Sequence, residues 1–278
     1  DVVKNGNYDA SDFASKTGIQ CARVSNEFTA SDLCLAAAEK MISDLSWNKS
    51  EIDAIFFVSQ HPDYILPATA CVLQERLELN KECYAFDGSI GCSGWVYGVS
   101  TAASLLGEGK MKKVLTICGD AKKRFSIPGN LLRDPLFDSA GTATAIEYCE
   151  GAQGLQCHFG TDGSGFDAII TPDGGSRSPF NPHSLDFEDV DGKQMCRMET
   201  RMKGMDVFSF GITTAPKSVK KCAEHYGFDY LDADYFIFHQ ANMKMNNMIA
   251  KKLKLPEEKV PSCMYCFGNT SSASIPLT

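Results

Sequence analysis

The sequence predicts an α/β fold built from two duplicated halves, and three observations carry that reading. Short apolar, β-rich runs alternate with stretches of helical periodicity. A unit of strand, helix, strand and Gly-bearing loop in the first half recurs weakly in the second. The two copies close on polar side chains, Cys92 and Asn269, at strand ends, where open sheets gather their active sites.

In chain order, residues 31–45 carry Leu35, Ala38, Met41, Ile42 and Leu45 at three- and four-residue spacing, behind cap candidates Thr29 and Ser31. Residues 52–59 (IDAIFFVS) form a continuous apolar run, the pattern of a strand covered on both faces. Pro67 opens a helix over 67–79, 83–86 is a second strand, and 88–94 is a Gly-rich turn. A helix follows over 93–106 and stops at Gly107-Glu108-Gly109, ahead of a third buried strand at 113–118 (KVLTIC). In the second copy, 235–238 and 263–267 are expected strands flanking a helix that ends in AKKLKL. The halves divide as 1–150 and 151–278, with 158–191, rich in Gly, Pro, Asp and Ser, as an irregular excursion or lid.

With 278 residues, 44% of them hydrophobic, the chain can bury a sizeable core. No run of eighteen apolar residues occurs, and the start, residues 1–6, lacks the layout of a signal peptide, so the expectation is a cytoplasmic protein without membrane association. Twelve cysteines, several inside apolar runs, are expected to be mostly reduced core residues. A net charge of −8 argues against nucleic-acid binding, which needs a basic footprint. Cys263 and Cys266 form a lone C-x-x-C with no second pair, so no metal site is expected.

Three residues point to chemistry. Cys92, in GSIGCSGW, sits at the entry to a predicted helix, where backbone N–H groups favour a thiolate. His239 emerges at the end of an apolar strand, and Asn269 follows a strand and a glycine. Taken singly, each has a plain reading as a buried thiol, a boundary histidine and a turn residue. Together, a thiolate, an imidazole and an amide donor suffice for acyl transfer through a covalent thioester. Other histidines, His61, His158, His183 and His225, are assigned no role.

HQANMKM at 239–245 and GNTSSASIP at 268–276 resemble the two signature loops of β-ketoacyl-acyl carrier protein synthase III, of the thiolase superfamily. KTGIQCARV at 16–24, LPATACVLQERL at 66–77, the Cys92 loop and GTDGSG at 160–165 are similar too. The resemblance implies a thiolase-like αβαβα layered fold, a homodimer, and a reaction in two stages. Acyl-CoA acylates Cys92. Malonyl-acyl carrier protein then enters, His239 and Asn269 stabilise the enolate left by decarboxylation, and its carbon attacks the Cys92 thioester. CoA and the phosphopantetheine carrier are substrates, and no cofactor is implied. Asn242 matches a position near the pantetheine arm, Lys244 stands where the family often carries an arginine near phosphate, and Gly268 belongs to the substrate-side loop. Leu66 replaces a bulky aromatic that shapes the acyl pocket of the neighbouring subunit.

On the helix after His239, Lys244, Asn247, Lys251 and Lys254 share one face, expected to meet CoA phosphates or an acidic carrier. Met245, Met248, Ile249 and Leu253 share the other. The chain departs from the family at 137–143, where FDSAGTA replaces FGDGAGA. By this resemblance the sequence is expected to begin past the family's first strand and to end, at Thr278, before its C-terminal hairpin. Two other readings stay open at this point. The acyl group could pass to an amine or hydroxyl acceptor. The order Cys, His, Asn, with about 150 residues between Cys92 and His239, also fits a papain-like thiol hydrolase, although that class puts its cysteine near the mature N-terminus. A thiolase proper would need a second cysteine as base near the C-terminal loop, and neither Cys263 nor Cys266 lies there.

Overall fold

The computed structural model of the chain describes residues 10–23, 25, 27–107, 109–121 and 136–278. The readings that fall on residues 1–6, Val24 and Glu108 lie outside them. By contacts the chain forms two compact units, Asp1–Cys157 with Leu231–Thr278, and His158–Tyr230. This division differs from the expected halves at 1–150 and 151–278, which remain an expectation of the internal repeat.

The first unit begins with α1 (Ala10–Thr17) and α2 (Ala30–Asp44). The start of α2 is set by a capping box: Thr29 Oγ1 accepts the Asp32 N–H at 3.2 Å and the Asp32 carboxylate accepts the Thr29 N–H at 2.8 Å. Such a cap is worth about 1 kcal/mol. Then come β1 (Ala54–Val58), α3 (Thr69–Arg76), β2 (Tyr84–Gly88), α4 (Gly94–Leu106), β3 (Lys113–Asp120) and β4 (Ala140–Glu147). The sheet order is β2-β1-β3-β4, with β1 parallel to β2 and β3, and β4 antiparallel to β3.

Alternation along the strands sends side chains to two helical layers. Ile55, Phe57, Leu115 and Ile117 pack with Cys34, Ala38 and Ile42 of α2 and with Leu73 of α3. Ala54, Phe56 and Val114 pack with Ala102 and Leu106 of α4. Each large apolar side chain buried this way contributes roughly 1.5–3 kcal/mol. Close approach is built into the sequence: a Cβ at Gly141 of β4 would lie 2.4 Å from the Cys34 nitrogen in α2, and one at Gly98 of α4 would lie 2.5 Å from Thr116 Cγ2. Because β1, β2 and β3 run parallel, their C-terminal ends share one edge, bringing Ser59, the Cys92 loop and Asp120 to the same side.

The second unit holds the short strands β5 (Ile169–Ile170), β6 (Glu188–Val190), β7 (Lys193–Met195) and β8 (Arg201–Met202), followed by α5 (Gly204–Tyr226). Its buried Asp173 accepts hydrogen bonds from Arg197, Ser178 and Ser184, which hold the carboxyl down to about 2. The chain then returns to the first unit with α6 (Met243–Leu253) and α7 (Ser274–Leu277).

Two expectations are corrected here. The second copy of the repeat keeps the order of its first but not its strands. Residues 235–238 alternate exposed Tyr235 and Ile237 with buried Phe236, yet no ladder forms along them among the described residues. Residues 263–267 close a helical turn instead, with Cys266 N–H and Phe267 N–H both donating to Cys263 O at 3.0 Å. Apolar character suggested strands in both segments; pairing needs a neighbour that local sequence does not specify. The cysteines are likewise not mostly core residues: only Cys34, Cys118 and Cys196 of the twelve are buried, and none forms a disulfide. No helix among the described residues is long and apolar enough to cross a membrane.

Candidate active site

Cys92 is exposed in the turn between β2 and α4. Ser93 caps α4 without a side-chain hydrogen bond, so the helix presents its amide end and the positive end of its dipole next to the thiol. The turn is tightly seated. A Cβ on Gly91 would lie 2.6 Å from Gln60 Oε1, and one on Gly94 would lie 2.6 Å from Val58 Cγ1 and 3.0 Å from Ser272 Cβ. Gly94 therefore lets the start of α4 rest on β1 and on the 268–274 turn at once. By contrast, burial raises the thiols of Cys34 and Cys118 well above the usual range.

Asn269 is buried, and three hydrogen bonds fix it. Its N–H donates to Leu136 O at 2.7 Å, its carbonyl accepts the Asp138 N–H at 2.9 Å, and its Oδ1 accepts the Ser271 N–H at 2.9 Å. The last bond orients the amide, leaving Nδ2 as the donor end. Asp138 brackets Asn269 from the other side by accepting the Gly268 N–H at 3.0 Å. Burial raises the Asp138 carboxyl, and the backbone N–H groups of Gly268 and Ser139 and the charge of Arg23 only partly offset it. Asp138 lies in FDSAGTA, so the segment that departs from the family is the one stitched to Asn269. Sequence reading registered the departure but assigned Asp138 no role.

His239 follows the extended 235–238 segment. Its Nδ1 lies 2.7 Å from Ser274 Oγ, and its carbonyl accepts from Ala241 N–H at 3.0 Å and Asn246 Nδ2 at 3.2 Å. The residue is half-buried, but Nε2 is shut off from solvent and finds no hydrogen-bond partner among the described residues. Burial pushes the imidazole down to about 4, so the ring is neutral near pH 7. The neighbouring Gln240 is fully buried, donating to Phe238 O at 2.7 Å and accepting from Ser262 Oγ at 2.7 Å, which anchors the histidine's turn. Neither Gln240 nor Ser274 was singled out from sequence.

These contacts draw the three residues together through one segment. The 268–274 turn holds Asn269 itself, meets the start of α4 at Ser272, and meets His239 at Ser274. Ser272 Oγ also donates to Val58 O at 3.1 Å, tying the turn to the end of β1. Beside it, the fully buried Asp120 accepts from Ser59 Oγ at 3.0 Å and from the Gln60 N–H at 3.0 Å, and pairs with His61 Nδ1 at 2.8 Å. Burial alone would raise this carboxyl, but His61 and its other donors hold it below the usual range.

The remaining candidates fare differently. Asn242 caps α6, accepting the Met245 N–H at 2.8 Å. Gly268 is buried; its N–H donates to Asp138, and a virtual Cβ would lie only 2.8 Å from Leu136 O, so the turn leaves no room for a side chain there. Lys244 is exposed and lines a groove of about 460 Å³ with Ser15, Lys16, Asn247, Met248 and Lys251. The predicted faces of α6 need adjustment: Met248 lines this groove, not the buried face, and Lys254 is the left-handed C-cap outside it. Lys16 of α1 supplies a cation that the helical pattern of α6 could not reveal. Leu66 is 84% exposed beside Ile65 at 93%. No cluster of three or more metal-ligating side chains occurs among the described residues.

An α/β sheet with a cysteine at a helix entry, and a histidine and an asparagine held by a turn that packs on the start of that helix, is the layout of the thiolase-type condensing enzymes. The sequence profile of 3-oxoacyl-[acyl-carrier-protein] synthase III matches residues 86–163, which contain Cys92, and the profile of its C-terminal part matches 223–278, which contain His239 and Asn269. A β-ketoacyl-[acyl-carrier-protein] synthase III of Streptococcus pneumoniae is 30% identical over 275 residues, covering 95% of this chain and 78% of that protein. The crystal structure of a 3-oxoacyl-(acyl carrier protein) synthase from Burkholderia xenovorans superposes with a TM-score of 0.86 at 38% identity, covering 97% of this chain and 77% of the other. That of the Thermus thermophilus synthase III gives 0.85 at 27% identity, covering 100% and 83%. The chain belongs to the 3-oxoacyl-[acyl-carrier-protein] synthase III family and has its thiolase-like fold.

The burial of His239 has a measurable consequence. The unfolded imidazole takes up a proton near pH 6.5 and the folded one near 4. This contribution to stability is complete above about pH 6.5 and is lost as pH falls toward 4, by up to about 3 kcal/mol. In His239→Gln it disappears, so urea midpoints measured from pH 4 to 7 should fall less steeply with acid than in the parent; equal slopes would contradict the ring's burial.

Proposed function

We propose that the chain is a decarboxylating condensing enzyme that starts an acyl chain: acyl-CoA acylates Cys92, and malonyl-acyl carrier protein is condensed onto the acyl group to give a 3-oxoacyl-acyl carrier protein. What supports this reading is that the 268–274 turn holds Asn269, meets His239 at Ser274 and packs against the start of the helix that Cys92 precedes, in a chain of this family. The Cys92 thiolate attacks the thioester carbonyl, a new C–S bond forms as the acyl–CoA C–S bond breaks, and CoA leaves as its thiolate, which takes up a proton from solvent. Its position at the start of α4 favours that thiolate, and its own backbone N–H is one donor for the tetrahedral oxyanion. CoA departs before the malonyl carrier enters the same site. The malonyl C–C bond then breaks to release CO₂, leaving its electron pair on the α-carbon and thioester oxygen. Neutral His239, donating from Nε2, and Asn269, donating from Nδ2, stabilise that enolate. The carbon attacks the acyl-Cys92 carbonyl and expels the thiolate, which restores the enzyme.

This chemistry calls on no resident cofactor or metal, since CoA and the carrier's phosphopantetheine are themselves substrates. Asn242 and the groove carrying Lys16, Lys244 and Lys251 provide the amide and cations for the pantetheine arm, the CoA phosphates and an acidic carrier face. A cytoplasmic location fits twelve cysteines without a disulfide. A homodimer is favoured by β2, which forms an edge of the sheet with Tyr84 51% exposed, and by the exposed 64–66 segment. Leu66 would then reach the partner's acyl pocket.

Incubation with a panel of acyl-CoA thioesters and malonyl-acyl carrier protein should give 3-oxoacyl carrier protein and CO₂. Cys92→Ala should abolish condensation, and Asn269→Ala should lower malonyl decarboxylation by about 10²–10³. Acyl transfer to an amine or hydroxyl without release of CO₂ would replace this reading with the transferase one. In sedimentation the active species should have twice the mass of one chain, with Leu66→Glu shifting it toward the single chain; a fully active monomer would contradict the dimer.

A further inference from the structure

We propose that Ser274 is a positioning residue that donates its hydroxyl hydrogen to His239 Nδ1 and so keeps the ring in the tautomer whose hydrogen is on Nε2. The site is closed, so its hydrogens can be counted. Ser274 is fully buried, and among the described residues its Oγ has two neighbours within hydrogen-bond range, His239 Nδ1 at 2.7 Å and the Gln240 backbone nitrogen at 3.4 Å. The Gln240 N–H can only donate, so it occupies a lone pair of Oγ. The one hydrogen of the hydroxyl then has a single acceptor, the Nδ1 lone pair.

In the opposite arrangement, with hydrogen on Nδ1, Oγ would receive two hydrogens while its own pointed at no acceptor. A neutral imidazole carries one ring hydrogen, so placing it on Nε2 makes that atom a donor and removes it as a base. Ser274 is itself held in place, because it opens α7 and its carbonyl accepts Thr278 Oγ1 at 2.9 Å. It is also the last residue of the turn that carries Asn269, so one short segment orients both donors. The same logic of an outer partner fixing a histidine tautomer operates wherever an imidazole must present one defined nitrogen.

What the Nε2 hydrogen is used for rests on the function proposed above; which nitrogen carries it does not. Two-bond ¹H–¹⁵N correlation spectra of the histidine-labelled full chain at pH 7, with His239 assigned by its loss in His239→Gln, read the tautomer directly. The expected pattern is protonated Nε2 and bare Nδ1 in the parent, a mixed or reversed pattern in Ser274→Ala, and recovery in Ser274→Thr, which keeps the hydroxyl. A parent protonated on Nδ1, or a Ser274→Ala spectrum unchanged from the parent, would overturn the proposal. The parent spectrum decides even where a variant folds poorly. In kinetics, Ser274→Ala should slow malonyl decarboxylation about tenfold while leaving the acylation burst on Cys92 intact; equal slowing of both steps would mark a merely structural residue and count against it. An enzyme that condenses nothing but shows the expected spectra would sink the function and leave the assignment standing.

Discussion

The site depends on the pinning of one turn, residues 268–274. At one end Asp138 and Leu136 hold it through the Gly268 and Asn269 amides, and in its middle Ser272 donates to the end of β1 and packs on the start of α4. At the other end Ser274 meets His239. A thiol carried by the sheet and two polar groups from the C-terminal part of the chain thereby share one rigid reference. Geometry of this kind matters because donors must be in place before charge develops, not recruited by it.

The electrostatics divide the labour between the members of the site. The helix entry offers Cys92 backbone N–H groups and a favourable dipole, which suits a group that must be anionic to react. His239 is driven to the opposite condition: burial keeps its ring neutral, which in the proposed chemistry lets it donate a hydrogen bond without carrying charge. A cationic imidazole next to the thiolate would instead stabilise the nucleophile as an ion pair, the arrangement expected of a thiol hydrolase. The buried Asp120 carboxylate, paired with His61, braces the ends of β1 and β3 beneath the same loops.

Much of the first unit was legible in the sequence because its cues are local. Thr29 announces α2, the unbroken apolar run announces β1, and glycines that admit close approach flank Cys92. Cys92, His239 and Asn269 stand out as candidates in the sequence because each lies at the end of a recognisable segment. What the sequence did not disclose depends on partners distant along the chain. β4 was missed although TATAI alternates, because its pairing with β3 is non-local. Residues 235–238 carry a strand's alternation without a strand's ladder. Lys16 enters the α6 groove from another helix, and Ser274 and Asp138 look like ordinary loop residues until their hydrogen bonds are drawn.

The proposed chemistry stands or falls on Cys92 being the residue that becomes acylated. Intact-protein mass spectrometry after incubation with acyl-CoA thioesters is the decisive experiment. The expected result is a mass gain of one acyl group, located by peptide mapping on Cys92 among twelve cysteines, absent in Cys92→Ala and discharged by malonyl-acyl carrier protein. Acylation that persists in Cys92→Ala, or that maps to another thiol, would contradict it.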